Sequence, residues 1–588
     1  MKVERAEAIR LDGHMLRAGF YGAALAVIAQ EATLNAINVF PVADGDTGSN
    51  LKGMMAAISW QSLPVGSPKT LLDAIAAQAL MSARGNSGLI FSQYFHSLVA
   101  HCNCAEQLSL KELIALFDNA GNEVAQAIHQ PVAGTLLTVM QQFAGHLRQA
   151  DATALDVISL LQRVEPQLLA DVAETKTQLA VLAKHGVVDA GAKAFYHFVC
   201  GFRHGLQQPI AIPAQAIDEM SFAAETLHQH QVIPEQRYCL EAIVKQFPKH
   251  SLRSHLARYG DSIVISGGEE KYRFHCHTNT PAAIFAGLKQ AQFTQVKADD
   301  MWRQFQAQHA AIAPIAIVTD SVADIPAALI DAHQIHIIPM DIHHAERTYL
   351  DRLTLDTEAF YQLLSDPEYP TSAMPSPHAV SRQLSFLAAH YQHVIVITVS
   401  SQLSGFFQLT QGQAKAFDNV TVIDSALNSA AQGLLVLVAA KRIQAGQSWQ
   451  TIVAATHRSR AQCQIFVAIA QLGSLIRSGR LPATLGRLLS ALAVKPVIGL
   501  NAVGKGVIHS KNWGWKRTKR ALLQHIVSAA KQRTPDDYVV VHTAAPNEAE
   551  ALAATLTAHW GKAPYYITEA APVIALHAGR GAVGVAML

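Results

Sequence analysis

Apolar residues recur at three- and four-residue intervals through "AIRLDGHMLRAGFYGAALAVIAQEATLNAI" (8–37) and "TLLDAIAAQALMSA" (70–83). The same spacing runs through "ALDVISLLQRVEPQLLADV" (154–172) and "GAKAFYHFVCGF" (191–202). That is the period of helices burying one face. Strand-like alternation is scarce before residue 205, so the spacing predicts an all-helical region over 1–205. Four glycine-containing turns interrupt it: "DGDTGSN", "ARGNSGL", "QPVAGTLLT" and "HGVVDAGA". A proline-bearing stretch at 205–218 reads as a linker. Mixed α/β sequence follows over 206–313. Strands are expected at "YCLEAIVKQF", "DSIVISGG" and "KYRFHCHT", and a helix at "PAAIFAGLKQA". From 314 to 588 apolar strands end in polar turns, as in "IAIVTDS", "IHIIPMD", "VIVITVSS", "VTVIDS" and "YVVVHTA", with helical segments between them. This texture predicts α/β architecture, with ligands expected where strands end.

Length and composition narrow the classes. A chain of 588 residues fits about two to four domains. Half the residues are hydrophobic and 15% are charged, with a formal net charge of +2. Nothing in that balance calls for nucleic acid or an anionic membrane surface as partner. No apolar run reaches the roughly 18 residues of a membrane helix, and the N-terminal "MKVERAEAIRLDGH" is too charged for a signal peptide. The expectation is a cytoplasmic protein, not integral to a membrane. Six cysteines without scaffold spacing are expected to be reduced thiols.

The first glycine turn carries the sharpest chemistry. Asp44 and Asp46 stand two residues apart around Gly45, followed by Thr47, Gly48, Ser49 and Asn50. Carboxylates so spaced can converge on one hard cation, and small residues let the backbone approach a phosphate. Magnesium holding nucleotide phosphates satisfies both. The same letters occur in ordinary capped turns, so the segment alone leaves both readings open. Several helix N-termini meeting at one point would make an anion site.

In order and spacing, "LNAINVFPVADGDTGSNL", "SARGNSGLIFSQ", "PVAGTLLTV" and "GVVDAGAKAF" resemble the ATP-binding subunit of bacterial fatty acid kinase, in the dihydroxyacetone-kinase nucleotide-binding family. The resemblance covers about 8–205 and implies a helical barrel holding Mg-ATP in its mouth. It implies that Asp44 and Asp46 ligate Mg2+, and that Asn38 sits in the nucleotide site where a third acidic or amide ligand could act. It implies that Thr47 and Asn50 help bind phosphate or base, that Gly85, Asn86, Ser87 and Gly88 contact phosphates, and that Gly134 and Thr135 line the nucleotide. Asp189 and Gly191 would close the site near the adenosine.

In the middle segment, "HCHTNTP" places His275 and His277 on one face of a strand. Cys239 could lie on a neighbouring strand, giving a zinc-compatible set that lacks one ligand. Glu241, on the same face as Cys239, is an alternative ligand. An H-x-H pair is often incidental. The segment also resembles the middle domain of the same kinase component, whose equivalent residues can hold Zn2+.

The C-terminal half contains "IVTDSVADIP", "PTSAMPSP", "VSSQLSGFFQ", "VIDS", "RSGRL", "VKPVIG" and "HAGRGAVG". Hydroxyls at strand ends could bind an anion or cap helices. Together these motifs resemble the DegV family over about 314–588. The resemblance implies a two-lobed fold burying a fatty acid, with the carboxylate held by Ser372, Ser404 and the Gly405 backbone. Arg480 and His577 would stand near the carboxylate end, with Thr371 and Ser401 as neighbours. Ala373 and Met374 stand where the family commonly has serine and glutamine, and Arg580 where proline is usual.

The combined expectation is an ATP-dependent kinase acting on a fatty acid carboxylate. Its acyl phosphate product would go to an acyltransferase, and a homodimer is expected. The alternatives are a lipid carrier or sensor without phosphoryl transfer, and a dihydroxyacetone-type kinase of a small hydroxylated substrate.

Overall fold

The computed structural model describes residues 10–40, 45–104, 106–150, 156–208, 233–268, 270–481, 484, 492–530 and 534–588. Of the linker at 205–218, residues 209–218 lie outside the described residues. The chain divides into two compact units, the first comprising residues 1–280 and 287–302, the second residues 281–286 and 303–588.

The first unit opens with helices α1 (Gly13–Ile28), α2 (Glu31–Ala36), α3 (Thr47–Ala57), α4 (Pro68–Ser82), α5 (Gly85–His101), α6 (Leu110–Glu123), α7 (Leu136–Gln149), α8 (Val157–Gln178), α9 (Ala180–His185) and α10 (Ala190–Gln207). The long pattern over 8–37 becomes two helices, broken at Ala29 and Gln30. Asp12 caps α1, and Ser67 and Ser109 open α4 and α6 through capping boxes, each satisfying amides that the first turn leaves unbonded. Neighbouring helices close a ring in the order α1, α3, α4, α5, α6, α7, α8, α10 and back to α1, so this region is a helical barrel. Its interior holds Phe20, Phe91, Phe95, Phe117, Phe143, Phe195, Phe198 and Phe202, all buried. Glycines close the seam between α1 and α10. A Cβ on Gly205 would stand 2.2 Å from the Ala18 carbonyl oxygen, and one on Gly201 2.5 Å from that of Gly22. Residue numbers rise along one helix as they fall along the other, so the two run antiparallel.

That up-and-down course positions the site. In a ring of alternating direction, α3, α5, α7 and α10 all begin at the same rim. The four glycine turns of the sequence are the segments that precede those four helices.

Strands β1 (Tyr238–Lys245), β2 (Gly260–Gly267), β3 (Lys271–Thr278) and β4 (Gln292–Asp300) follow, ordered β2-β3-β1-β4 and antiparallel. Helices α11 (Lys249–Leu256) and α12 (Pro281–Gly287) lie between them in sequence. This sheet is bonded onto the barrel. Ser266 Oγ and Ser92 Oγ lie 3.0 Å apart, and Gly267 N–H donates to Gln93 at 3.1 Å. Buried Arg273 donates to the carbonyls of Leu80 and Met81 at the end of α4, at 3.0 and 2.9 Å.

The second unit is α/β. Strands β5 (Ile315–Asp320), β6 (His336–Ile338), β10 (His393–Thr398) and β11 (Val420–Asp424) form a parallel sheet ordered β11-β10-β5-β6. Strands β7 (Asp341–His344), β8 (Arg347–Leu350) and β9 (Thr371–Ala373) pair antiparallel in the order β8-β7-β9. A six-stranded mixed sheet, ordered β14-β13-β12-β17-β15-β16, joins β12 (Gln464–Ala468), β13 (Val494–Leu500), β14 (Gly506–Trp513), β15 (Tyr538–His542), β16 (Ile567–Glu569) and β17 (Val583–Met587). Strands β5 and β10 at the centre of the parallel sheet and helix Ser429–Gln444 are almost wholly buried, as strands covered on both faces require, whereas edge strand β11 buries only Ile423. The chain leaves β5 toward β6 on one side and β10 toward β11 on the other. The crevice beyond the ends of β5 and β10 is therefore a topological switch point.

Candidate nucleotide and lipid sites

The barrel rim gathers most of the residues expected to bind nucleotide. One cleft is lined by Asn38, Asp46, Thr47, Asn50, Gly85, Asn86 and Ser87, together with Phe40 and Arg84. Asp44 lies outside the described residues. Asp46 opens α3 without a capping bond from its side chain, which leaves the carboxylate available to a cation. Gly85 has φ +62°, and a Cβ there would stand 2.8 Å from Asn50 Nδ2. Only glycine suits that turn. Asn86 Oδ1 is buried without a hydrogen-bond partner. A buried acceptor left unpaired is costly, so it marks a place for a ligand donor or cation. Gly88 is buried one turn inside α5.

The other two turns meet at the same rim. A Cβ on Gly191 would lie 3.2 Å from Ser87 Oγ and 3.0 Å from Leu136 Cβ, so the starts of α5, α7 and α10 touch. Gly134 has φ +80°, and Thr135 Oγ1 donates to the Val132 carbonyl at 2.8 Å. Asp189 has a structural task. One of its oxygens accepts from Ala192 N–H at 2.8 Å and from Leu136 N–H at 3.0 Å, capping α10 and α7 at once. Burial lifts its carboxyl to about 6, against the pull of those two amides. The folded state therefore holds this proton more tightly than the unfolded chain. Stability is lost as pH rises from the ordinary Asp range through that value. Asp189→Asn keeps an acceptor without the buried charge. Wild type should lose stability relative to Asp189→Asn as pH rises, read by urea unfolding on either side of the transition; parallel pH profiles would contradict it.

The middle sheet supplies the opposite wall of this cleft, with Cys239, Glu241, His275, His277 and Lys297. Register explains the grouping. Cys239 pairs with His277 and Glu241 with His275 across β1 and β3, and Lys297 faces Glu241 from β4. The potential ligand atoms of Cys239, His275 and His277 all lie within 4.8 Å of one another. Cys239 Sγ is 3.7 Å from His275 Nδ1, and His275 Nε2 is 3.1 Å from His277 Nε2. Burial, then His275, pulls His277 down to about 3, so it is a neutral imidazole at neutral pH. Burial pushes the Cys239 thiol well up despite nearby Lys297. A bound cation would reverse that preference, since thiolate is the ligating form. One soft and two borderline donors at this spacing suit zinc. The sequence marked the three side chains but not their place beside the rim cleft. Arg84 and Lys297 were not singled out: Arg84 sits inside the quoted second glycine turn, and no sequence signal marks Lys297.

In the second unit, buried Asp320 ties the ends of β5 and β10 together. It accepts from Val399 N–H at 2.7 Å, Val322 N–H at 3.1 Å and Gln432 Nε2 at 3.1 Å. Past β10, Ser404 Oγ accepts from Phe406 N–H at 3.2 Å. Arg480 donates to the Leu403 carbonyl at 3.1 Å. Burial, then Arg480, lowers His577 to about 4, and its Nδ1 is buried without a partner. Ser404, Gly405, Arg480 and His577 thus share one corner. Ser372 and Thr371 lie on β9, paired with Ile342 and His343. Met374, just beyond them, reaches Gly405, with its Sδ 3.3 Å from where a Cβ would stand. Ser401 N–H is turned to the Asp424 carboxylate at 3.1 Å. The unusual Arg580 lies over the Tyr361 ring at 4.9 Å.

Residues 41–204 match the DAK2 domain, residues 235–308 the FakA-like middle domain of fatty acid kinase, and residues 314–588 the DegV family. The chain joins these three domains. An uncharacterised protein of Staphylococcus epidermidis is 30% identical over 289 residues, covering 46% of this chain and 52% of its own length. One from Staphylococcus saprophyticus is 29% identical over 288 residues, with the same coverage. The chain spans about half the length of these relatives. Solved structures similar to the DegV domain include the following two. DegV, a fatty acid binding protein from Bacillus subtilis, is 29% identical over 47% of this chain and 99% of its own, with a TM-score of 0.43. A DegV family protein from Thermus thermophilus, described for its fatty acid binding, is 26% identical over 46% and 98%, also with a TM-score of 0.43. Among the described residues no helix is long and apolar enough to cross a membrane.

Proposed function

We propose that this chain transfers the γ-phosphoryl group of ATP to the carboxylate of a fatty acid. The observation that carries the reading is the rim of the DAK2 domain. Four helix N-termini, the Asp46 carboxylate and the unpaired Asn86 acceptor meet there, in a chain that also contains a DegV domain. Helix N-termini favour phosphate oxygens. Asp46, with Asp44, would hold magnesium, which when bound neutralises charge on the phosphates. The DegV domain would present the acyl carboxylate through Ser404, Gly405 and Ser372. At neutral pH Arg480 would supply the positive charge there and His577 an uncharged imidazole.

A carboxylate oxygen bonds to the γ-phosphorus as the bond to the β,γ-bridging oxygen breaks. ADP leaves, and the products are ADP and an acyl phosphate. The acceptor is already an anion, so no side chain has to remove a proton. Holding both substrates on one chain raises their effective concentration. An acyl phosphate is a reactive anhydride, which an acyltransferase would consume in the cytoplasm. We expect the working form to be a homodimer.

Incubation with ATP, magnesium and a C16–C18 acid, followed by hydroxylamine trapping, tests the reading. Ser404→Ala should lower hydroxamate formation about 10–100-fold, the scale of losing a bond to a charged group (about 1.5–3 kcal/mol), with ATP binding unchanged. Absence of hydroxamate from wild type with every acid tried would overturn the proposed activity.

A further inference from the structure

Glu241 lies between the metal-suited side chains and the turn that starts α5. It is wholly buried, and one of its oxygens makes both contacts. Oε1 accepts the Gly85 N–H at 2.7 Å and faces His275 Nδ1 at 3.4 Å. The other oxygen faces Arg84 at 3.7 Å and Arg273 at 3.6 Å, beyond hydrogen-bond length.

We propose that Glu241 is a positioning residue that couples metal occupancy of Cys239, His275 and His277 to nucleotide binding at the Gly85 turn. The proposal rests on reading the rim cleft as the nucleotide site. The two histidine Nε2 atoms are 3.1 Å apart, close to the roughly 3.3 Å between two nitrogens bound tetrahedrally to one zinc ion. With His275 Nε2 as the ligating atom, its Nδ1 would carry the proton and face Glu241 Oε1 at 3.4 Å, with Cys239 Sγ 3.7 Å from the same Nδ1. A carboxylate behind a ligating imidazole fixes the tautomer and raises its basicity. The same oxygen holds the Gly85 amide, so this N–H serves as an anchor for the turn. Asn86 and Ser87, the next two residues, line the cleft. Metal therefore orders the carboxylate, the carboxylate orders the turn, and the turn meets nucleotide with less ordering left to do.

The test uses the full chain, zinc, and a non-hydrolysable ATP analogue with magnesium in excess. Titration calorimetry of zinc-loaded and zinc-stripped protein should give analogue affinities differing at least about fivefold, the lower end of ordinary coupling. By linkage, saturating analogue should tighten zinc binding by the same factor. Glu241→Gln should weaken zinc about 10–100-fold and, with zinc resaturated, remove the coupling. Equal analogue affinity with and without zinc in wild type would overturn the proposal, as would coupling that survives Glu241→Gln. If that variant does not fold, the reciprocal wild-type titrations decide alone. Wild type that binds zinc but no analogue would refute the nucleotide reading itself, and the proposal with it.

Discussion

Asp46→Asn should abolish acyl phosphate formation while leaving the fold and any bound lipid intact. The substitution keeps shape and removes one negative charge from the rim. Asp46 makes no capping bond to α3, so the helix loses nothing it depends on. The cost falls on the cation that the carboxylate would hold, and hence on neutralisation of the transferring phosphoryl group. Losing one element of such electrostatic stabilisation costs about 10²–10³-fold in rate, and losing a metal ligand as well should exceed that. Hydroxamate trapping reads the rate, circular dichroism the fold, and native mass spectrometry the retained acid. Normal turnover by Asp46→Asn would place the metal elsewhere. Loss of lipid together with turnover would show that the substitution acts through the fold.

Much of this arrangement was legible in the sequence. Period-3.6 patterns located α4, α8 and α10, and apolar runs located β5, β10, β11 and β15. The four glycine turns were legible because positive φ at Gly85 and Gly134 needs a residue without a Cβ. Their convergence follows from alternating helix direction, a property of the ring and not of any one segment. The Cys239, His275 and His277 group was legible because strand side chains alternate. Its place at the rim was not, because that depends on how the sheet seats on α4 and α5, through Arg273, Ser266 and Gly267. The task of Asp189 was also hidden: a capping aspartate and a ligand-binding one look alike until their partners are known. In the DegV domain Ser404, Gly405, Arg480 and His577 gather at one corner, whereas the Ser401 backbone is turned to Asp424, a pairing set by the adjacency of β10 and β11.

Arg273→Ala should be the most damaging single change to the first unit. Arg273 is fully buried, and burial, then Arg84, lowers its guanidinium to about 9, so it is still charged at neutral pH. Its partners come from three places: the Leu80 and Met81 carbonyls of α4, Gln295 on β4, and Glu241 on β1. Alanine orphans two carbonyls and removes a cation facing a buried carboxylate. Breaking a buried charge pair from one side costs about 3–5 kcal/mol. Lysine should rescue little, because it lacks the planar fork that reaches two carbonyls together. Urea denaturation should show the loss, and hydrogen exchange should show β1–β4 opening while the α1–α10 seam stays protected. The same variant should bind zinc more weakly, since Glu241 and β3 lose their seat against α4. An unchanged denaturation midpoint would mean that the sheet is held to the barrel by its apolar contacts and its other bonds, those of Ser266, Gly267 and Glu241 among them, with Arg273 adding nothing to its seat.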